Sequence, residues 1–374
     1  MPIGRRRPHL PAVVAALLAL LALALLPAGP ARAAEAPDPG APYLGAMLDW
    51  GTDSAAGYAD RLGAPAAVYG RPVPLPMDDR EQGHLRHFLS QVAEQGGHAL
   101  LTVRPDIALD RVDEARAAVL AGQLADVAQD FDGTVFVRFA PQMNASWVPW
   151  GQQPEAYTRA FRAVAAAVDD ELEDPVLVWS PTVGTDYPFR GPTTSVPEGA
   201  DLASLDTDGN GTWDRGDDAY SPYYPGDDVV DWVGLSAYHD ETGSGEARNT
   251  VPDPDGFSAL LGGSGAGAGG FYAAYAVGHD KPLMVETGSF WSPEAGGPSA
   301  LEVKAPWWDQ VLAAASSDAY DRIGAVVWNE TVEERAGGAV AVDWRSTADP
   351  DLAAAFRERV RASSLVAGPV TERA

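Results

Sequence analysis

Two side chains in this sequence stand where chemistry is done. Glu286 closes the apolar run Leu283-Met284-Val285 and is followed by Thr287-Gly288; packing explains such a carboxylate poorly, because a charge at the end of a buried strand needs solvent, a cation or a substrate. Gln142 follows a second apolar run, in FVRFAPQMNASWVPWG. Two carboxyl groups so placed would supply a nucleophile and a proton donor. An amide cannot give up or take a proton at ordinary pH, so turnover depends on what the Gln142 position can still do. Arg138 points inward if its run alternates as a strand, and a buried arginine needs an acidic partner, for which Glu286 is the natural candidate.

A second constellation is built for metal. From Asp206 the chain reads DTDGNGTWDRGD, with oxygen-bearing residues Asp206, Asp208, Asn210, Thr212, Asp214 and Asp217 at positions 1, 3, 5, 7, 9 and 12 and Gly211 at position 6. This is the spacing of an EF-hand calcium loop, with a shorter aspartate where glutamate usually gives the final bidentate contact. The bland alternative is a hydrophilic, turn-rich insertion. A calcium ion there would brace the segment before Tyr223-Tyr224-Pro225 and do no chemistry. No histidine or cysteine cluster suggests zinc, and no other cofactor is expected.

These residues must be held by something regular. Eight short apolar runs begin near Tyr43, Ala66, His98, Thr134, Val176, Val229, Leu283 and Ala325. Between several of them lie helix-like stretches: 80–95, 112–131, 154–168, a short one at 271–277, 307–315 and a last one at 352–362. Such alternation predicts an α/β chain folded as a (β/α)8 barrel with loop insertions. In that architecture the loops after the strands converge on one cleft, where both Gln142 and Glu286 would lie.

Composition narrows the setting. Residues 1–33, with Arg5, Arg6 and Arg7, an apolar stretch and Ala31-Arg32-Ala33, read as an export signal, and a secreted protein is expected, with an uncleaved N-terminal membrane anchor as the competing reading. Residues 34–42 read as a disordered linker, 43–362 as the barrel and 363–374 as a tail; the glycine-rich piece 262–270 reads as a surface loop. The chain has no cysteine, so no disulfide supports it. Its formal charge of −27 repels nucleic acid and anionic lipid, and favours solubility and divalent cations. A chain acting as a monomer is expected.

Three blocks in order, RFAPQMNASWVPWG from Arg138, YPGDDVVDWVGLSAY from Tyr224 and KPLMVETGS from Lys281, resemble the signature blocks of glycoside hydrolase family 26. The likeness runs from Tyr43 to about Arg345. It implies a (β/α)8 barrel acting on a β-linked polysaccharide of mannan, xylan or glucan type by a retaining mechanism. Glu286 then matches the nucleophile, and Arg138 the arginine that orients it and keeps it ionised. The family's acid/base glutamate lies in a block His-Glu-Met-Asn-Gly; here Pro141, Gln142, Met143, Asn144 and Ala145 stand at those places, so the acid/base position is substituted.

Sugar faces stack on aromatic rings, and hydroxyls need polar partners. Trp147, Trp150, Tyr238, Trp291 and Trp328 fall at or past strand ends; the resemblance makes Tyr238 and Trp328 walls of the subsite around the nucleophile and lets Asn144 bind a sugar hydroxyl. Trp232 is expected against the helices. Glu330, Asp240 and Glu241 are the acids that could stand in for the missing one. Alternative readings remain a glycan-binding barrel without turnover and a membrane-tethered component of polysaccharide synthesis or export.

Overall fold

The computed structural model describes residues 40–189, 199–240, 248–262, 270–335 and 340–371. The expected signal peptide, most of the linker, Glu241 and nearly all of the glycine-rich loop lie outside these residues. No helix among them is long and apolar enough to cross a membrane.

Eight parallel strands close into a barrel in chain order: β1 Tyr43–Leu48, β2 Val68–Leu75, β3 His98–Pro105, β4 Val135–Phe139, β5 Val176–Trp179, β6 Trp232–Ser236, β7 Leu283–Thr287 and β8 Ile323–Glu330, which returns to pair with β1. This is the expected (β/α)8 architecture. Around it run α1 Ala55–Leu62, α2 Asp79–Glu94, α3 Glu114–Ala128, α4 Pro154–Glu171, α5 Gly199–Leu205, α6 Gly256–Gly262, α7 Ala300–Ala315 and α8 Pro350–Ala362. A single π-helical turn, Tyr272–Val277, stands between α6 and β7. Local chemistry sets the starts: Asp78, Asp113 and Asp349 accept backbone N–H groups at the N-termini of α2, α3 and α8, and Pro154 opens α4. Beyond β8 a two-stranded antiparallel ribbon forms from β9 Val332–Arg335 and β10 Val340–Asp343.

Strand alternation sorts the barrel interior by height. Its floor is apolar, filled by Tyr43, Leu100, Phe136, Trp232, Met284 and Val327 among others. Two residues further along β3, β4, β7 and β8 the same inward face carries Thr102, Arg138, Glu286 and Asn329. The polar site therefore follows from the period of two combined with one change of residue type per strand. Trp232 corrects an expectation: it has the inward parity of Ser236 and meets Phe136 with ring centroids 5.2 Å apart, rather than packing on helices.

The expected tail is also corrected. Leu44 donates to the Val366 carbonyl, Val366 to Pro42, Gly368 to Pro65 and Val370 to Gly96. Residues 363–371 thus close the barrel floor, because unpaired backbone beside β1 offers them hydrogen bonds that solvent would otherwise have to supply.

Candidate active site

Glu286 stands at the end of β7 with a side chain 14% exposed, so it is sheltered yet open to the cleft. One carboxylate oxygen is ion-paired to Arg138 Nη1; the other accepts a 2.6 Å hydrogen bond from the Tyr238 hydroxyl. Arg138 is itself fixed, its Nε and Nη2 donating to Thr102 Oγ1 at 3.2 and 2.9 Å. Three neighbouring elements, β3, β4 and the segment after β6, therefore aim the carboxylate. Burial and the adjacent Glu286 charge push the Tyr238 phenol well above its ordinary range, so it remains a neutral donor.

Gln142 reaches the same cleft by a different device. After β4 the backbone turns through Ala140 at φ 43° and Gln142 at φ 59°, left-handed values that non-glycine residues adopt at a cost. The Gln142 N–H donates to the Ser180 carbonyl at 2.7 Å, anchoring the turn to β5. The Gln142 amide oxygen accepts from the Trp147 indole N–H at 2.9 Å. An indole N–H can only donate, so the amide is oriented with its oxygen toward Trp147 and its NH₂ left to the cleft.

The cleft, of about 1070 Å³, runs from Glu286 and Gln142 across the ends of β1, β2 and β3. Along that stretch it is lined by Asp49, Trp50, Arg71, Glu81, His87 and Arg104. None of these was singled out from sequence, although the strand-end rule applied to β4, β6, β7 and β8 points equally to the first three strands. Trp150 borders the cleft but is 4% exposed, with its N–H on the Pro141 carbonyl and the Arg104 guanidinium 5.6 Å above its ring, so it packs beneath the cleft wall and does not present a face to a sugar.

Other expected site residues lie elsewhere. Trp328 is 1% exposed and packs edge-on to Phe356 of α8; it has outward parity on β8, and Asn329 takes the place at the cleft. Asn144 is fully buried, its amide donating to the Thr182 carbonyl at 2.8 Å and accepting from the Thr182 N–H at 2.9 Å. It clamps the β4 turn to the segment after β5 and is not offered to a sugar. Trp147 is 58% exposed and rests edge-on against Phe189, touching the site through Gln142. Trp291 turns its N–H toward the Pro298 carbonyl.

Of the stand-in acids, Glu330 is 1% exposed, has outward parity on β8 and accepts from Ser346 N, Thr347 N and Thr347 Oγ1. Burial pushes its carboxyl up, but it holds a loop and does not face the cleft. Asp240 is paired with Arg335 at 2.8 Å. Glu241 lies outside the described residues.

In the acidic loop, carboxylate oxygens of Asp206, Asp208 and Asp217 lie within 4.8 Å of one another. Asn210 and Gly211 donate their N–H groups to Asp206, while buried Asp217 accepts from Thr207 and Asp214. The Thr212 hydroxyl contacts Asn210 and Asp214, and Asp214 also caps Gly216. The three converging carboxylates are hard oxygen donors of the kind calcium takes, while Asp214, also expected as a ligand, is not among them.

No family profile and no curated protein matches the chain. Solved structures do. The modular endo-β-1,4-mannanase of Cellulomonas fimi, described as a glycoside hydrolase family 26 enzyme, is 15% identical, with 88% of this chain and 72% of that one covered and a TM-score of 0.57. A broad-specificity GH5-4 endoglucanase from Clostridium longisporum is 11% identical over 83% and 87% of the two chains, with a TM-score of 0.53. A GH5-4 endoglucanase from an uncultured bovine rumen ciliate is 10% identical over 86% and 96%, with a TM-score of 0.50. At these identities the likeness is one of fold, and the family that the three sequence blocks resemble is among those whose solved members share it.

Proposed function

We propose that this chain is a secreted glycoside hydrolase-like barrel of the family 26 type, which takes a β-linked glycan in the cleft above β1–β4 and β7 and attacks it with Glu286. The observation that carries this reading is the carboxylate of Glu286, gripped by Arg138 and Tyr238 in a cleft of about 1070 Å³. A nucleophile needs a free lone pair and a fixed direction, and this arrangement meets both. Half-buried Trp50 provides an apolar face within the cleft. The charge of −27 argues for a neutral or locally recognised glycan over a polyanion. The Asp206–Asp217 loop is proposed to hold a structural calcium ion.

Incubation with a 2-deoxy-2-fluoro β-glycosyl fluoride tests this reading, because fluoride departs without a proton donor. A glycosyl adduct on Glu286, found by peptide mass and lost in Glu286→Ala, is the expected result. Saturable binding of manno-, xylo- or gluco-oligosaccharides with no adduct would instead support a glycan-binding barrel without turnover, the reading that Gln142 favours.

A further inference from the structure

We infer that the leaving group this site expels is one that departs as a stable oxyanion, such as a phosphate, sulfate or carboxylate attached to the anomeric carbon. The inference rests on the reading of Glu286 as nucleophile and adds the chemistry of the bond it breaks.

Three observations bear on it. Gln142 occupies the strand-four position facing the cleft, and its oxygen is committed to Trp147 Nε1 at 2.9 Å, so what it offers a bound group is an N–H donor. A donor that cannot release its proton suits an oxygen that leaves already charged, and fails an alkoxide that must be protonated as it leaves. Next, two of the described carboxylates that line the cleft besides Glu286 have other work: Asp49 accepts from Gly51 N and Thr52 Oγ1, and Glu81 pairs with Arg71, which leaves Asp106, two residues past Arg104, as the remaining one. Finally, Arg104 lines the cleft above Trp150, whose N–H is held by Pro141 in the Gln142 turn, and the Arg104 guanidinium has no hydrogen-bond or ion-pair partner among the described residues. Exposed at the cleft and held only by the Trp150 ring, this guanidinium can reach an anion bound next to the turn that carries Gln142.

The reaction balances without an acid. A Glu286 oxygen attacks the anomeric carbon, the bond to the leaving oxygen breaks, and its electron pair departs on the oxyanion, which Gln142 Nε2 and Arg104 receive as hydrogen-bond donors. Water then attacks the anomeric carbon, the ester bond returns its pair to Glu286, and the water's proton passes to solvent.

The test compares β-glycosyl 1-phosphates and 2,4-dinitrophenyl, 4-nitrophenyl and phenyl β-glycosides of glucose, mannose and xylose disaccharides. Expected are cleavage of the phosphate and the dinitrophenyl compound, a rate falling by about 10²–10⁴ toward the phenyl glycoside, and recovery of phenyl cleavage in Gln142→Glu. Arg104→Met should raise KM for the phosphate roughly tenfold while changing that for the dinitrophenyl glycoside much less. Equal rates across the aryl series, or no cleavage of any phosphate, would overturn the inference. Labelling of Glu286 by the fluorosugar alongside either result leaves the nucleophile standing and removes only the leaving-group assignment; absence of label removes both.

Discussion

The Tyr238 hydroxyl donates to Glu286 Oε1 at 2.6 Å, across the gap between the chain leaving β6 and the end of β7. Burial and the carboxylate push the phenol well above its ordinary range, so it remains a protonated donor. Replacing it with Tyr238→Phe leaves the ring packing on Trp344, whose centroid is 5.1 Å away, and removes one donor from the nucleophile. A hydrogen bond to a charged group contributes about 1.5–3 kcal/mol, so the rate of fluorosugar labelling of Glu286 should change by roughly ten- to a hundredfold while oligosaccharide binding changes little. Unaltered labelling would show that Tyr238 merely packs.

Arg138 is a harsher case. Its side chain is 3% exposed, and Arg138→Met leaves the Glu286 carboxylate without its cation and frees the Thr102 hydroxyl. Breaking one side of a buried pair costs about 3–5 kcal/mol, so thermal unfolding should shift down by on the order of 10 °C together with loss of labelling. The double variant Arg138→Met, Glu286→Leu should regain much of that stability with no activity. If the double variant is no more stable than the single one, the pair is not what the substitution breaks.

How far the sequence foretells this site depends on the kind of signal. The barrel was legible because eight apolar runs alternate with helix-like stretches as strands and helices of a barrel do, and Arg138 with Glu286 was legible because both follow strand parity. Trp328 and Glu330 were misplaced because a strand-end rule ignores parity: both face outward on β8, and inward Asn329 between them takes the cleft. Asn144 was misjudged because its partner, the Thr182 backbone, is 38 residues away and leaves no trace in local sequence. Helix α7 starts at Ala300 rather than near Trp307: the Ser299–Glu302 capping box begins it, and Pro306 sits inside it.

A chain of ring contacts runs from the acidic loop to Gln142. Trp213, inside the loop, donates to the Tyr187 hydroxyl at 3.0 Å; Tyr187 meets Phe189 at 5.8 Å between centroids, and Phe189 meets Trp147 at 5.1 Å. If calcium holds the loop, as proposed, chelation with EGTA should lower the unfolding temperature and weaken oligosaccharide binding, and calcium added back should restore both. Asp208→Ala should remove the calcium response by itself. A melting curve insensitive to calcium and EGTA would leave the loop as a hydrogen-bonded turn.

His98, on the barrel floor between Tyr43 and Phe136, makes the acid limb of stability predictable. Burial lowers its pKa from 6.5 to about 4, and its neutral Nδ1 accepts the Thr134 N–H at 3.0 Å. Between pH 6.5 and 4 the unfolded chain therefore binds a proton that the folded chain refuses, so stability falls as the pH drops through that window, by up to about 3 kcal/mol. Asp169 works in the opposite sense, since burial raises its pKa from 3.8 to about 6 and the folded chain takes up its proton first. The comparison must therefore be between proteins that share Asp169. His98→Asn keeps an acceptor for Thr134 but cannot take up the proton. Its urea midpoint should start lower at pH 7, from lost packing, and then decline less steeply than that of the parent between pH 6.5 and 4. Parallel declines in the two proteins would mean that the acid sensitivity arises elsewhere, in the carboxylates paired across the surface.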